Sequence, residues 1–220
     1  PRTENTQEEE AILQAFNILE NVTHPSCLQA PYVQQRAVGE GLLAACIAVL
    51  VKWSDSADVV AAVFDVLANF LKTAEYADLI STLGGIEATL AALGARLDVE
   101  RVQRSGWRCV ASLALLPAWR ARVAVLGGIP LALDAMHRHA RCVALQGYCC
   151  LLLGYLFDSH EGKTALLARA VKKKAYKLLR CAAKHDYASL DEWERDWARP
   201  NPAELIALMS APSRRSLRGK

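Results

Sequence analysis

The chain has 220 residues, 53% of them hydrophobic, and a mean hydropathy of +0.12. This excludes a disordered chain, and the length suits one large domain or a short array that needs no disulfide staples. The net charge of +3 hides a split: residues 1–100 hold 5 Lys+Arg and 14 Asp+Glu, and residues 101–220 hold 21 and 9. An acidic front and a basic back suggest different partners at the two ends, or head-to-tail contact with another copy.

Ala (37) and Leu (32) dominate, while Gly (12) and Pro (8) are scarce. The strongest helix formers outnumber the breakers, so an all-α chain is expected. The seven cysteines are Cys27, Cys46, Cys109, Cys142, Cys149, Cys150 and Cys181. An odd count, an adjacent pair and no Cys-x-x-Cys fit buried free thiols in a reducing, cytoplasmic compartment. The longest uninterrupted apolar run, Leu42 to Val51, is ten residues and too short to span a bilayer.

In chain order, Ile12, Phe16, Leu19 and Val22 put one apolar face on a helix over 8–23, read as the last helix of a truncated unit. Three copies of a unit follow, over about 32–73, 75–116 and 118–158. Gly41, Leu43, Ile47 and Leu50 stand 43 residues before Gly84, Ile86, Leu90 and Leu93. Leu83-Gly84-Gly85-Ile86 recurs as Leu126-Gly127-Gly128-Ile129 at the same offset. Leu90, Ala92, Gln103 and Leu113 map without a gap onto Leu133, Ala135, Gln146 and Leu156.

Each unit reads as three helices. Residues 119–126 predict a short first helix that Gly127-Gly128 stops, because Gly accepts the left-handed conformation. Pro130 then sits in the first turn of a second helix running to about His139, and a third runs from about Arg141 to Phe157. None could bury its apolar face alone, whereas stacked neighbours could.

Residues 161–209 read as a degenerate cap. Within it, Lys173, Lys177, Arg180 and Lys184 form one stripe of a basic amphipathic helix that also carries Lys172 and Lys174, with Val171, Ala175, Leu178, Leu179 and Ala182 opposite. Leu190 to Trp197 places Trp193 and Trp197 on one helix face, expected to cover the end of the array. Pro200 and Pro202 break that helix, and Ala203–Met209 allow one more. Residues 210–220, with Arg214, Arg215 and Arg218, read as a basic extended tail.

Gly127-Gly128-Ile129-Pro130-Leu131-Ala132-Leu133, together with third-helix endings such as Leu67-Ala68-Asn69-Phe70 and Leu19-Glu20-Asn21-Val22, resembles the armadillo repeat. HEAT repeats are the near neighbour. The resemblance covers roughly residues 8–184 and implies an all-α, armadillo-type α-solenoid, a right-handed superhelix of three-helix repeats. It also implies a non-enzymatic protein whose third helices line a groove for peptides or partner helices. In that family a ladder of Asn, with Trp four residues earlier, holds the guest.

By register the Asn positions here are Asn21, Asn69, Ser112 and Tyr155, and the Trp positions are Asn17, Asp65, Arg108 and Leu151. With no Trp in the slot and Arg104 and Arg108 at its centre, the expected partner is an acidic or mixed-charge protein surface rather than a Lys-rich peptide. The expected groove is Asn21, Asp65, Asn69, Arg104, Arg108, Ser112, Leu151 and Tyr155.

The chemistry-bearing clusters read otherwise. Gly84-Gly85 and Gly127-Gly128 lack the Gly-x-Gly-x-x-Gly spacing and the preceding strand of a phosphate loop. His137, His139 and Cys142 read as an exposed helix end near its dipole, since residues two apart on a helix face different ways. No catalytic residue, metal or cofactor is expected. Trp107 reads as a packing residue. The leading expectation is a scaffold or adaptor in a larger assembly, cytoskeletal or ciliary, with tubulin as one candidate partner. The alternative is an RNA- or nucleic-acid-associated subunit using the basic helix and tail. Aromatic residues are absent from the stripe, which lowers that option.

Overall fold

In the computed structural model, residues 4–71, 73–185 and 201–210 are described, and they form thirteen α-helices. The first is α1 (Glu4–Thr23). Three groups of three follow: α2 (Ala30–Gly39), α3 (Leu42–Lys52) and α4 (Ala57–Phe70); α5 (Ala74–Thr82), α6 (Gly85–Ala95) and α7 (Glu100–Leu113); α8 (Pro117–Val125), α9 (Gly128–Arg138) and α10 (Val143–Phe157). The last are α11 (His160–Leu167), α12 (Arg169–Ala182) and α13 (Pro202–Ser210). The all-α class is as expected. No single helix among the described residues is long and apolar enough to cross a membrane.

The joint between the first and second helix of each group has one cause. Gly41, Gly84 and Gly127 have φ of 85°, 82° and 84°. An L-residue there would cost about 1–2 kcal/mol. Each glycine closes the first helix, donating its N–H to Val38, Ser81 and Ala124 respectively, and caps the second. The fourth joint is built differently. Ala168, extended at φ −55° and ψ 131°, precedes α12. The glycine signal therefore fades where the sequence repeat fades.

The second helices of the groups pack on one another, and so do the third. α1, α4, α7 and α10 are successive neighbours, as are α3, α6, α9 and α12. α13 lies against α12 and α10. Enclosed between α1 and α7, α4 is buried at every residue from Val59 to Phe70, Asp65 and Asn69 included. Close approach also depends on Gly106, where a Cβ would stand 2.6 Å from Leu93 Cδ2 and 2.8 Å from Phe64 Cε2.

The repeated glutamines have a structural use. Gln103 Nε2 donates to Leu93 O (2.8 Å) and Arg96 O (3.0 Å); Gln146 Nε2 donates to Met136 O (2.9 Å) and His139 O (3.1 Å). Both are buried and satisfy carbonyls at the end of the preceding helix. Gln146→Leu leaves two such carbonyls without this donor, so a loss of about 1–3 kcal/mol is expected in urea unfolding. An unchanged midpoint would remove the clasp from the stability of the group.

Cys46, Cys109, Cys149 and Cys150 are buried, Cys27 and Cys142 half-buried and Cys181 exposed. Burial pushes the Cys46 and Cys109 thiols up to about 12. Unfolding would expose thiols that ionise near 9, so above that pH the unfolded chain holds fewer protons than the folded one. Stability should therefore fall as pH rises from about 9 towards 12, by at most about 1.4 kcal/mol per pH unit per thiol. Urea midpoints across this range should fall less steeply in Cys46→Ala/Cys109→Ala.

Candidate functional site

The row formed by α1, α4, α7 and α10 carries all eight predicted groove residues. Closeness of packing decides which can reach a partner. Asn69 is 2% exposed; its Nδ2 donates to Glu20 O and Thr23 Oγ1, both at 3.1 Å, and its backbone carbonyl accepts from Gln34 Nε2 at 3.3 Å. Ser112 is buried and donates back to Arg108 O at 2.7 Å. The expectation that these two positions face a guest backbone is corrected: they join or stiffen helices inside the protein. Asn21 is exposed, and its amide donates to Asn17 O at 2.8 Å within α1.

The charges at the centre are mixed. Asp65 Oδ1 lies 3.2 Å from Arg108 Nη2, with the side chains 11% and 17% exposed. The positive charge expected at Arg108 is thus matched from the neighbouring helix, whereas Arg104 is exposed. Glu20, on α1, has its carboxyl pushed up by burial and by Asp65, against the opposing pull of Arg108, Arg101 and Arg104. Arg101 also pairs with Asp58 at 3.3 Å. Glu20 and Arg101 therefore belong to this cluster, though sequence reasoning missed both. The readable signal for Arg101 was its 43-residue spacing from Asp58, the same as that of Arg108 from Asp65.

Leu151 and Tyr155 are half-buried on α10. They line a cleft of about 300 Å³ with Gly154, Leu205 and Leu208, the last 47% exposed, between α10 and α13. The Arg120 guanidinium lies 5.4 Å from the Tyr155 ring centroid. Burial raises the Tyr155 phenol and the arginine partly opposes it. This end of the row offers an apolar seat beside charge, which suits an aromatic or aliphatic anchor.

Lys173, Lys177 and Arg180 are exposed on α12, whereas Lys184, expected on the same stripe, is exposed in the turn beyond the helix, because α12 ends at Ala182; Ala175, Leu178, Leu179 and Ala182 are buried. Lys174 pairs with Asp134 of α9, and the Lys172 ammonium lies 5.9 Å from the Tyr176 ring centroid. Trp193 and Trp197, and the tail residues Arg214, Arg215 and Arg218, lie outside the described residues.

The His137–His139 expectation is corrected in part. His137 is exposed, but the His139 side chain is 9% exposed, with Nε2 2.9 Å from Leu97 O and Nδ1 3.8 Å from Glu100. A carbonyl only accepts, so Nε2 carries the proton. The contact belongs to a series. Arg96 Nε donates to Ser54 O at 2.9 Å, one group earlier, and His185 Nε2 meets Ala140 O at 3.0 Å, one group later. In each, a side chain just beyond a second helix reaches back to the loop that follows the second helix of the preceding group. Among the described residues, no three His, Cys, Asp or Glu side chains gather as metal ligands.

Comparison of the chain with protein-family models, with curated proteins and with solved structures finds no significant match.

Proposed function

We propose that this protein is an armadillo-type α-solenoid that serves as a non-enzymatic scaffold or adaptor, holding protein partners within a larger cytoplasmic assembly. The observation that carries the reading is the recurrence, at 43-residue spacing, of the left-handed glycines, the glutamine clasps and the contacts from Arg96 and His139 back to the preceding group. Units of one length and similar construction present equivalent positions at regular intervals, which suits an extended partner. Such a partner would meet Glu20, Arg101 and Arg104 at one part of the row and the Leu151–Tyr155 cleft at another. Acidic or mixed charge with an apolar anchor is the matching chemistry. A cytoskeletal or ciliary setting, with tubulin as a partner, follows from the family resemblance and the basic back half.

Affinity capture on the intact chain, Arg104→Glu and a chain lacking residues 210–220, with mass spectrometry, tests this. A partner lost with Arg104→Glu and kept without the tail supports the row. A partner lost only with the tail moves the function there. Microtubule co-sedimentation tests the tubulin reading directly.

The exposed stripe of α12 favours one second reading, a nucleic-acid-associated subunit. RNA binding would then fall steeply with salt and need Lys173, Lys177, Arg180 and Lys184. A flat salt response or no binding at low salt would eliminate it. The apolar side of α12 is occupied in packing, which disfavours insertion into a lipid surface.

A further inference from the structure

The joints between first and second helices form one side edge of the protein, because α3, α6, α9 and α12 start there and pack side by side. Along this edge Glu40, Leu83, Leu126 and Arg169 follow one another at 43-residue steps. The first three close α2, α5 and α8, and Arg169 opens α12 just past α11. All four are exposed, Leu83 and Leu126 at 40% each, and Val125 beside them is 74% exposed. Among the described residues, neither the Glu40 nor the Arg169 side chain has an ion pair or a hydrogen bond. The edge therefore presents acid, leucine, leucine and base in that order. Packed helices stand about 8–10 Å apart, so this ladder is roughly 25–30 Å long.

We propose that this edge pairs with the same edge of a second copy, running antiparallel, about a two-fold axis between Leu83 and Leu126. That axis sets Glu40 against Arg169 of the other copy and Leu83 against Leu126 of the other copy, each contact made twice. The order of the four residues selects the occupant. Reversal turns acid, leucine, leucine, base into its own complement, whereas a parallel pairing would set Glu40 on Glu40 and Arg169 on Arg169. The flanking residues agree. Val125 meets Thr82 of the other copy and Gly39 meets Ala168, with no charge on either side. One turn back, Arg122 meets Leu79, which is 37% exposed, and the arginine's charge is already matched by Glu87 of its own copy. So narrow a strip is smaller than a permanent interface, which makes the association weak and reversible. Its exposed ion pairs make it sensitive to salt.

Sedimentation equilibrium of the intact chain, up to about 1 mM, should show a monomer–dimer equilibrium that weakens as salt is added. Glu40→Arg and Arg169→Glu should each weaken it roughly ten- to thirtyfold, since either swap brings like charges together at two places in the dimer. An equimolar mixture of the two variants should recover a heterodimer, because every rung then holds one acid and one base. Leu83→Ser/Leu126→Ser should abolish the dimer and still unfold cooperatively in urea, as both side chains lie at the surface.

A monomer at every concentration, an equilibrium unmoved by the single swaps, or a mixture that recovers no heterodimer would each overturn the proposal. A monomeric chain that loses a captured protein in Leu83→Ser/Leu126→Ser would give the edge to a different partner and overturn the second copy. Arg104→Glu, on the third-helix row, should dimerise as the wild type does, so failure here and failure of the scaffold reading are distinguishable.

Discussion

Trp107→Ala should lower the free energy of unfolding by about 3–5 kcal/mol. Trp107 is 0% exposed on α7, beside Gly106, which admits Leu93 and Phe64. Its Nε1 donates to Gln103 Oε1 at 2.9 Å, and Gln103 in turn holds Leu93 O and Arg96 O. Truncation therefore opens a large cavity and also frees the acceptor that fixes the clasp. Trp107→Phe keeps one six-membered ring but loses the N–H and part of the indole volume, so a smaller loss of about 1–3 kcal/mol is expected. Urea unfolding of both variants separates the terms. If Trp107→Ala cost less than about 1 kcal/mol, the residue would not be a core anchor.

Arg108→Met should destabilise by about 2–4 kcal/mol, because it leaves the Asp65 carboxyl without its partner in a nearly closed site beside Glu20. Met replaces the stem of arginine and isolates the charge from the packing. The double variant Arg108→Met/Asp65→Leu should recover most of that loss, since a buried ion pair and an apolar pair of similar size differ little. A thermodynamic cycle by chemical unfolding measures the coupling. Simple additivity of the two single changes would show that the pair does not interact. Arg104→Glu, on an exposed side chain of the same helix, should change stability little, which is why it serves as the probe of partner binding.

The all-α class and the helix joints were legible because they depend on short-range rules. The 43-residue offset placed the glycine corners, and the 3.6-residue apolar spacing placed Leu145, Cys149, Leu152, Leu153 and Leu156, all buried on α10. Trp107 as a packing residue and a short helix after Pro202 were also readable. The site was less so. A register match put Asn69 and Ser112 where the resemblance expects guest-binding residues, but the depth of packing buried both. His139, too, is a polar residue near a helix end until the loop at Leu97 is brought within 2.9 Å of it.

The sequence by itself determined the helical class, the repeating length, the corners and the division into an acidic front and a basic back, because propensity, periodicity and charge are local properties. Only the tertiary structure decided how those charges are used. Glu8–Lys52, Asp55–Arg96, Asp58–Arg101, Asp65–Arg108, Glu87–Arg122 and Asp134–Lys174 each join an earlier acid to a later base. Much of the polarity therefore lies in the joints between groups. The physical reason is distance: partners some 35–45 residues apart meet only when whole helices stack, and a side chain's availability depends on how closely they do.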